Sequence, residues 1–217
     1  MNLLTSSLLA SLNREHAWLE QGFGTREANP DQTSMATLQQ IHSAATFVAL
    51  EPGCAGKGDA LVTRTPGVAI SVRTADCFPI LLADPETRSV AAIHAGWRGT
   101  AAGVVRSSLD RMRSEFGTDP RNVFAAIGPG IGKCCYEVGI EVARQFGLHE
   151  AGRLDLAVEN EKQLIGAGLR KDRIDRIGGC TFCHPAQFFS WRRDQDRAGR
   201  MVSFIRVVTP GLETGPT

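Results

Sequence analysis

Between Asp59 and Thr100 the chain reads DALVTRTPGVAISVRTADCFPILLADPETRSVAAIHAGWRGT. Three apolar, β-branched runs stand out: ALVT, then VAISV with PILLAD close behind, then SVAAIHA. Gly and Pro turns separate them, which is the punctuation of strands. ADPETRS, from Ala83 to Ser89, carries the Asp-Pro signal of a hairpin. A chain with this centre must build a sheet. GTAAGVVRSSLDRMRSEFG then predicts one helix over 99–117, with Val104, Val105, Leu109, Met112 and Phe116 on one face and Gly117 at its stop.

The remainder continues the pattern. NVFAAIGPGIG (122–132) reads as a buried strand ending in a Gly-Pro-Gly loop, EVGIEVARQFG as a short helix, and LDLAVENEKQLIGAGLRKDRI as a longer amphipathic one. MVSFIRVV (201–208) closes the domain as an apolar strand, and residues 209–217, TPGLETGPT, form a Pro/Gly-rich tail expected to fray. Strands outnumber helices and follow one another in hairpin fashion. The expected fold is α/β (α+β), a mixed β-sheet core flanked by helices, as a single domain over 1–217. With 217 residues, 42% of them hydrophobic, the chain can bury the core of one sizeable domain.

Charge excludes some partners. Lys and Arg number 24 against 23 Asp and Glu, a net charge of +1, so no general field draws the chain to nucleic acid or an anionic membrane. The densest basic cluster, SWRRDQDRAGR, is interleaved with Asp194 and Asp196 and reads as local pairing. No run approaches the roughly 18 apolar residues of a membrane span, and the N-terminal segment lacks the basic start and cleavage site of a secretory signal. The expectation is a cytoplasmic protein whose six cysteines stay reduced and are metal-binding, catalytic or buried.

CTFCH (180–184) matches the C-x-x-C-H signature of c-type haem attachment. That attachment takes place outside the cytoplasm and needs a further axial ligand, for which no Met or His stands at a suggestive spacing. Three other residues at strand ends or in loops are better placed: His42 in LQQIHSA, Cys77 in RTADCFP and His94 in AAIHAGWRG. Two imidazoles and a thiolate form a borderline-soft set that suits Zn²⁺, with a fourth position open as in catalytic sites. Spacing alone leaves open that Cys77 is simply buried and the histidines ordinary core or surface residues. In HAGWRGT, Gly96 and Gly99 flank Arg98 where a helix begins. Free amides there favour an anion, and Arg98 either binds it or pairs with Asp76 or a C-terminal carboxylate.

TADCFPILLAD, AAIHAGWRGT, IGPGIGKCCYEVG and CTFCHPAQFFSWRRDQDRAGRM resemble, in order, the motifs of the laccase-domain (polyphenol oxidase-type) family, regarded as zinc-dependent purine nucleoside phosphorylases. The likeness runs from QGFGTRE to MVSFIRVV. It implies that His42, Cys77 and His94 hold one Zn²⁺, and that the substrates are a purine nucleoside and phosphate. It further implies phosphorolysis of adenosine- or inosine-type nucleosides, with adenosine deamination as a side activity. Asp76, beside Cys77, becomes the candidate proton-transfer group or orienter, and Arg98 the candidate anion holder. Cys183 and His184 fall in a variable stretch, so their haem-like spacing is accidental.

Alternatives remain. Some relatives edit peptidoglycan precursors, which would make this a zinc hydrolase. A laccase-like polyphenol oxidase is disfavoured by counting, since a multicopper centre needs many imidazoles and the chain has five histidines, at 16, 42, 94, 149 and 184. A non-enzymatic, zinc-stabilised binding module would need a fourth ligand, for which Cys134 and Cys135 are the candidates. A structural zinc held by Cys134, Cys135, Cys180 and Cys183 is weighed against the awkwardness of chelation by adjacent cysteines. Departures from the pattern are Ser43 where Gly is expected after His42, SWRRD for SYRRD, and a short N-terminus.

Overall fold

The computed structural model describes residues 3–13 and 17–208; the predicted tail at 209–217 lies outside them. In chain order the strands are β1 (Leu19–Phe23), β2 (Met35–Gln39), β3 (Thr46–Val48), β4 (Gly53–Lys57), β5 (Ala60–Thr63), β6 (Ala69–Thr74), β7 (Phe78–Asp84), β8 (Ser89–Ala95), β9 (Phe124–Ile127), β10 (Glu137–Val138), β11 (Gly152–Arg153), β12 (Ile174–Arg176) and β13 (Met201–Val207). The helices are α1 (Ser7–Ala10), α2 (Trp97–Ala101), α3 (Val104–Phe116), α4 (Ile140–Gln145), α5 (Leu156–Gly166) and α6 (Trp191–Asp194).

The fold class is the expected one, a mixed α/β arrangement of sheets flanked by helices, but the strands divide between two main sheets. One runs β1-β13-β6-β2-β4, the other β12-β9-β7-β8-β5-β3, and β10 with β11 forms a small ribbon. The second sheet is the middle layer. Along β7, Ile80 and Leu82 join α3 and α5 in one apolar cluster, while Leu81 and Ala83 join β1, β2, β6 and β13 in another. β8 alternates the same way, with Ala91 and Ile93 on the helix side and Val90 and Ala92 on the sheet side. Successive side chains point to opposite faces of a strand, and here both faces are covered. That is why PILLAD and SVAAIHA are apolar at almost every position. Each fully buried Leu or Ile in this layer contributes about 1.5–3 kcal/mol.

The helix predicted over 99–117 is broken. α2 ends at Ala101, Gly103 adopts a left-handed φ of +81°, and α3 restarts at Val104. Glycine adopts that conformation without a Cβ penalty. Gly117 is the predicted stop, again left-handed at φ +76°, and Val104, Val105, Leu109 and Met112 are buried on the predicted face. Among the described residues no helix is long and apolar enough to cross a membrane.

Candidate functional site

The β7–β8 hairpin brings Cys77 and His94 together. Phe78 pairs with Ala95 and Pro79 with His94, so the next step along the register sets Cys77 opposite Gly96. A Cβ on Gly96 would lie 2.7 Å from the Cys77 sulfur and 3.2 Å from Cδ2 of His42. The missing side chain is the space that the sulfur occupies. Gly96 has an ordinary φ of −83°, so glycine is needed here for room and not for conformation.

His42 arrives from the β2–β3 loop with a left-handed φ of +59°, uncommon for a residue with a side chain. The fully buried carboxylate of Asp59 accounts for it. It accepts the amides of Ile41 at 3.3 Å and His42 at 2.9 Å, the amide of Ser43, and the Ser43 hydroxyl at 2.8 Å. The same carboxylate lies 2.8 Å from Nδ1 of His94. One buried acid therefore fixes both imidazole carriers, and Ser43 adds a hydroxyl to that network. The ligand atoms of His42, Cys77 and His94 all lie within 4.8 Å of one another, and the two imidazole rings meet edge-on with centroids 4.9 Å apart.

Electrostatics matches this geometry. Burial, the largest influence, pushes the Cys77 thiol up, but the His94 charge and the His42 and His94 contacts bring it down to about 6. Burial lowers the His94 pKa, yet the Cys77 thiolate and Asp59 raise it to about 9. Asp59 is opposed by burial and held at about 2 by His94 and Ser43. With Nδ1 of His94 tied to a carboxylate, Nε2 is the atom left to face the centre, an arrangement typical of metal-bound histidine. Among the described residues no fourth His, Cys, Asp or Glu joins the group; Cys134 and Cys135 belong to a separate one, and neither His149 nor His184 belongs to either. A borderline-soft divalent cation fits, with a coordination position to spare.

The three residues stand in the wall of a cavity of about 850 Å³ that Asp76 and Arg98 also line. Arg98 is exposed, stacked 4.4 Å over the Trp97 ring. Among the described residues it makes no ion pair; Asp76 is engaged elsewhere, accepting the Thr181 hydroxyl and the Arg192 amide, both at 2.6 Å. Asp76 too has a left-handed backbone, φ +83°.

Sequence reasoning did not find Asp59, Arg73, Tyr136, Arg192 or Arg200, of which the last four line the cavity. The local pairing expected in SWRRDQDRAGR holds for Arg193, 2.8 Å from Asp194. Arg192 instead lies 5.4 Å over the Tyr136 ring and Arg200 5.3 Å over the Trp191 ring. Adjacent residues on a helical turn diverge by about 100°, so one arginine of the pair was bound to face away from Asp194. That was the available signal.

Comparison with known proteins agrees with this fold. A protein of Deinococcus radiodurans named purine nucleoside phosphorylase is 42% identical over 190 residues, covering 83% of this chain and 73% of that protein. One of the same name from Bacteroides thetaiotaomicron is 40% identical over 163 residues, covering 69% of this chain and 60% of the other. The crystal structure of YlmD from Geobacillus stearothermophilus superposes with a TM-score of 0.82 at 27% identity, covering 89% of this chain and 93% of that one. The sequence profile described as multi-copper polyphenol oxidoreductase laccase matches residues 14–208, which carry the hairpin, the three converging side chains and the arginine-lined cavity, and the chain belongs to that family.

Proposed function

We propose that the cavity is the active site of a zinc-dependent purine nucleoside phosphorylase. One observation carries the reading: two imidazoles and a thiol converge in the wall of a cavity that also holds four arginines and the aromatic rings of Trp97, Tyr136 and Trp191. The names of the relatives point to the same chemistry. Phosphorolysis joins a phosphate oxygen to C1′ of the ribose as the bond from C1′ to the purine nitrogen breaks. The products are ribose 1-phosphate and the free base.

Bound by His42, Cys77 and His94, zinc would supply Lewis-acid polarisation of an oxygen held against it. Arg98, free of any carboxylate among the described residues, binds the phosphate, with Arg73, Arg192 and Arg200 adding positive charge around it. The aromatic rings offer apolar faces for the purine. Of the two roles expected of Asp76, orientation is better supported, because its carboxylate is already engaged by Thr181 and by the Arg192 amide. It secures the α6 segment that brings Arg192 to the cavity. Deamination of adenosine at the same centre is a side activity consistent with this donor set.

Incubation with inosine or adenosine, with and without phosphate, tests the proposal. The expected result is phosphate-dependent release of free base and ribose 1-phosphate, lost in Cys77→Ala together with the metal held by His42 and His94. Full phosphorolysis by Cys77→Ala, or hydrolysis of a muropeptide precursor with no action on nucleosides, overturns it.

A further inference from the structure

Away from the cavity centre the structure gathers four more thiols. Cys134 and Cys135 lie in the turn after Gly132, and Cys180 and Cys183 lie in the turn after β12. All four sulfurs lie within 4.8 Å of one another, with Cys183 3.6 Å from Cys134 and 3.3 Å from Cys135, and all are free thiols. Tetrahedral zinc with bonds of about 2.3 Å sets its sulfurs about 3.8 Å apart, so the cluster is already close to that size. Adjacent cysteines in an extended chain are awkward ligands for one metal. A turn removes the difficulty: Cys135 and Tyr136 both donate to the Gly132 carbonyl, at 2.9 and 3.0 Å, and both thiols reach Cys183.

We infer that Cys134, Cys135, Cys180 and Cys183 form a second metal site, a closed four-thiolate site for structural zinc that staples the 132–136 turn to the 180–183 turn. Three further features are built around it. The Gly132 amide donates to the Cys180 sulfur at 3.2 Å, a contact that favours the thiolate. A Cβ at Gly132 would lie 3.1 Å from Cβ of Cys180 and 3.2 Å from the Cys134 sulfur, so a side chain there would push both cysteines back by a few tenths of an ångström. The Arg193 guanidinium donates to the carbonyls of Thr181 and Phe182, at 2.9 and 3.1 Å. With its charge paired to Asp194, the guanidinium braces the backbone of the 180–183 turn. C-x₂-C at 180–183 has the spacing of a structural zinc ligand pair, and four soft sulfurs exclude the harder divalent cations.

The staple has a place in the architecture of the cavity. One clamped turn leads directly into Tyr136. The other carries Thr181, whose hydroxyl bonds Asp76 beside Cys77. The second metal therefore holds a cavity wall and takes no part in the reaction, and Cys77 and the nucleoside chemistry can be removed without removing it.

The test counts metal in protein purified without chelators. Native protein is expected to hold two zinc ions per chain, and Cys77→Ala and the double variant Cys180→Ser/Cys183→Ser one each. Should the double variant not fold, the Cys77→Ala protein decides alone, because its second cluster is intact. X-ray absorption at the zinc edge should show a sulfur-only shell there, and cobalt(II) substitution should give the intense sulfur-to-cobalt charge-transfer bands of a tetrathiolate. The inference is overturned if Cys77→Ala holds no zinc and binds no cobalt in that form, or if the four thiols are recovered as disulfides. Neither outcome depends on whether the protein cleaves nucleosides.

Discussion

Asp59 shows how much one buried side chain can organise. Its carboxylate anchors the left-handed loop at His42 and the Nδ1 of His94, two ligands on different elements. Asp59→Asn keeps an oxygen to accept the loop amides but loses the charge that orients the imidazole. Partners of this kind typically govern metal affinity by about 10–100-fold. The expected result is zinc binding weakened within that range, measured by chelator competition, with the circular dichroism of the fold retained; undiminished affinity would count against Asp59 as the orienting group. Tyr136 is a second probe, being the single tyrosine of the chain. Burial, joined by the nearby Cys77 thiolate, pushes its phenol up to about 12 from an ordinary 10. Because the folded pKa is raised, the fold favours the neutral phenol. That contribution is full below pH about 10 and is lost as the pH climbs through about 12. Ultraviolet difference spectra should show no phenolate forming near pH 10; an ordinary midpoint would place the ring in water.

At the scale of elements, the β7–β8 hairpin is the part of the site that the sequence made legible. Its two strands and Asp-Pro turn were marked by apolar runs and punctuation, and the observed strands fall on them. Its register then sets Cys77 across from Gly96. Gly96→Ala is compatible with the backbone at φ −83° but drives a methyl to 2.7 Å from the sulfur. The variant should fold with its hairpin intact and hold markedly less metal, read as zinc per chain beside an unchanged far-ultraviolet spectrum. Native metal content would show that the sulfur has room to move. The elements that escaped notice share a physical reason. β1 to β4 are short and mixed in polarity, and β2 and β4 gain their strand character from parallel neighbours distant in sequence. The break at Gly103 was hidden because helical periodicity continues on both sides of it. Asp59 and the cavity arginines left no periodic trace, since their roles depend on which side chains the tertiary fold sets opposite them.

For the whole molecule, the consequential feature is a middle sheet that belongs to two apolar clusters at once. Leu81 is fully buried on the sheet-facing side while its neighbours Ile80 and Leu82 are fully buried against helices. Neither outer layer can detach without exposing one face of β7 and β8, so the layers should unfold together, as expected of a single domain. Leu81→Ala removes apolar contacts on the sheet side only, and large-to-small core changes of this kind typically cost about 2–5 kcal/mol. If the layers are coupled, the whole denaturation curve shifts. Trp18 lies in the sheet–sheet cluster and Trp97 packs on the helix-side cluster, so tryptophan fluorescence samples both layers, and circular dichroism follows the backbone throughout. In guanidinium the two signals should give coincident single transitions in the native chain. They should move together to lower denaturant in Leu81→Ala with the slope unchanged. A biphasic curve, or a variant in which only one signal shifts, would show the layers to be separable units and the middle sheet to be a boundary between them.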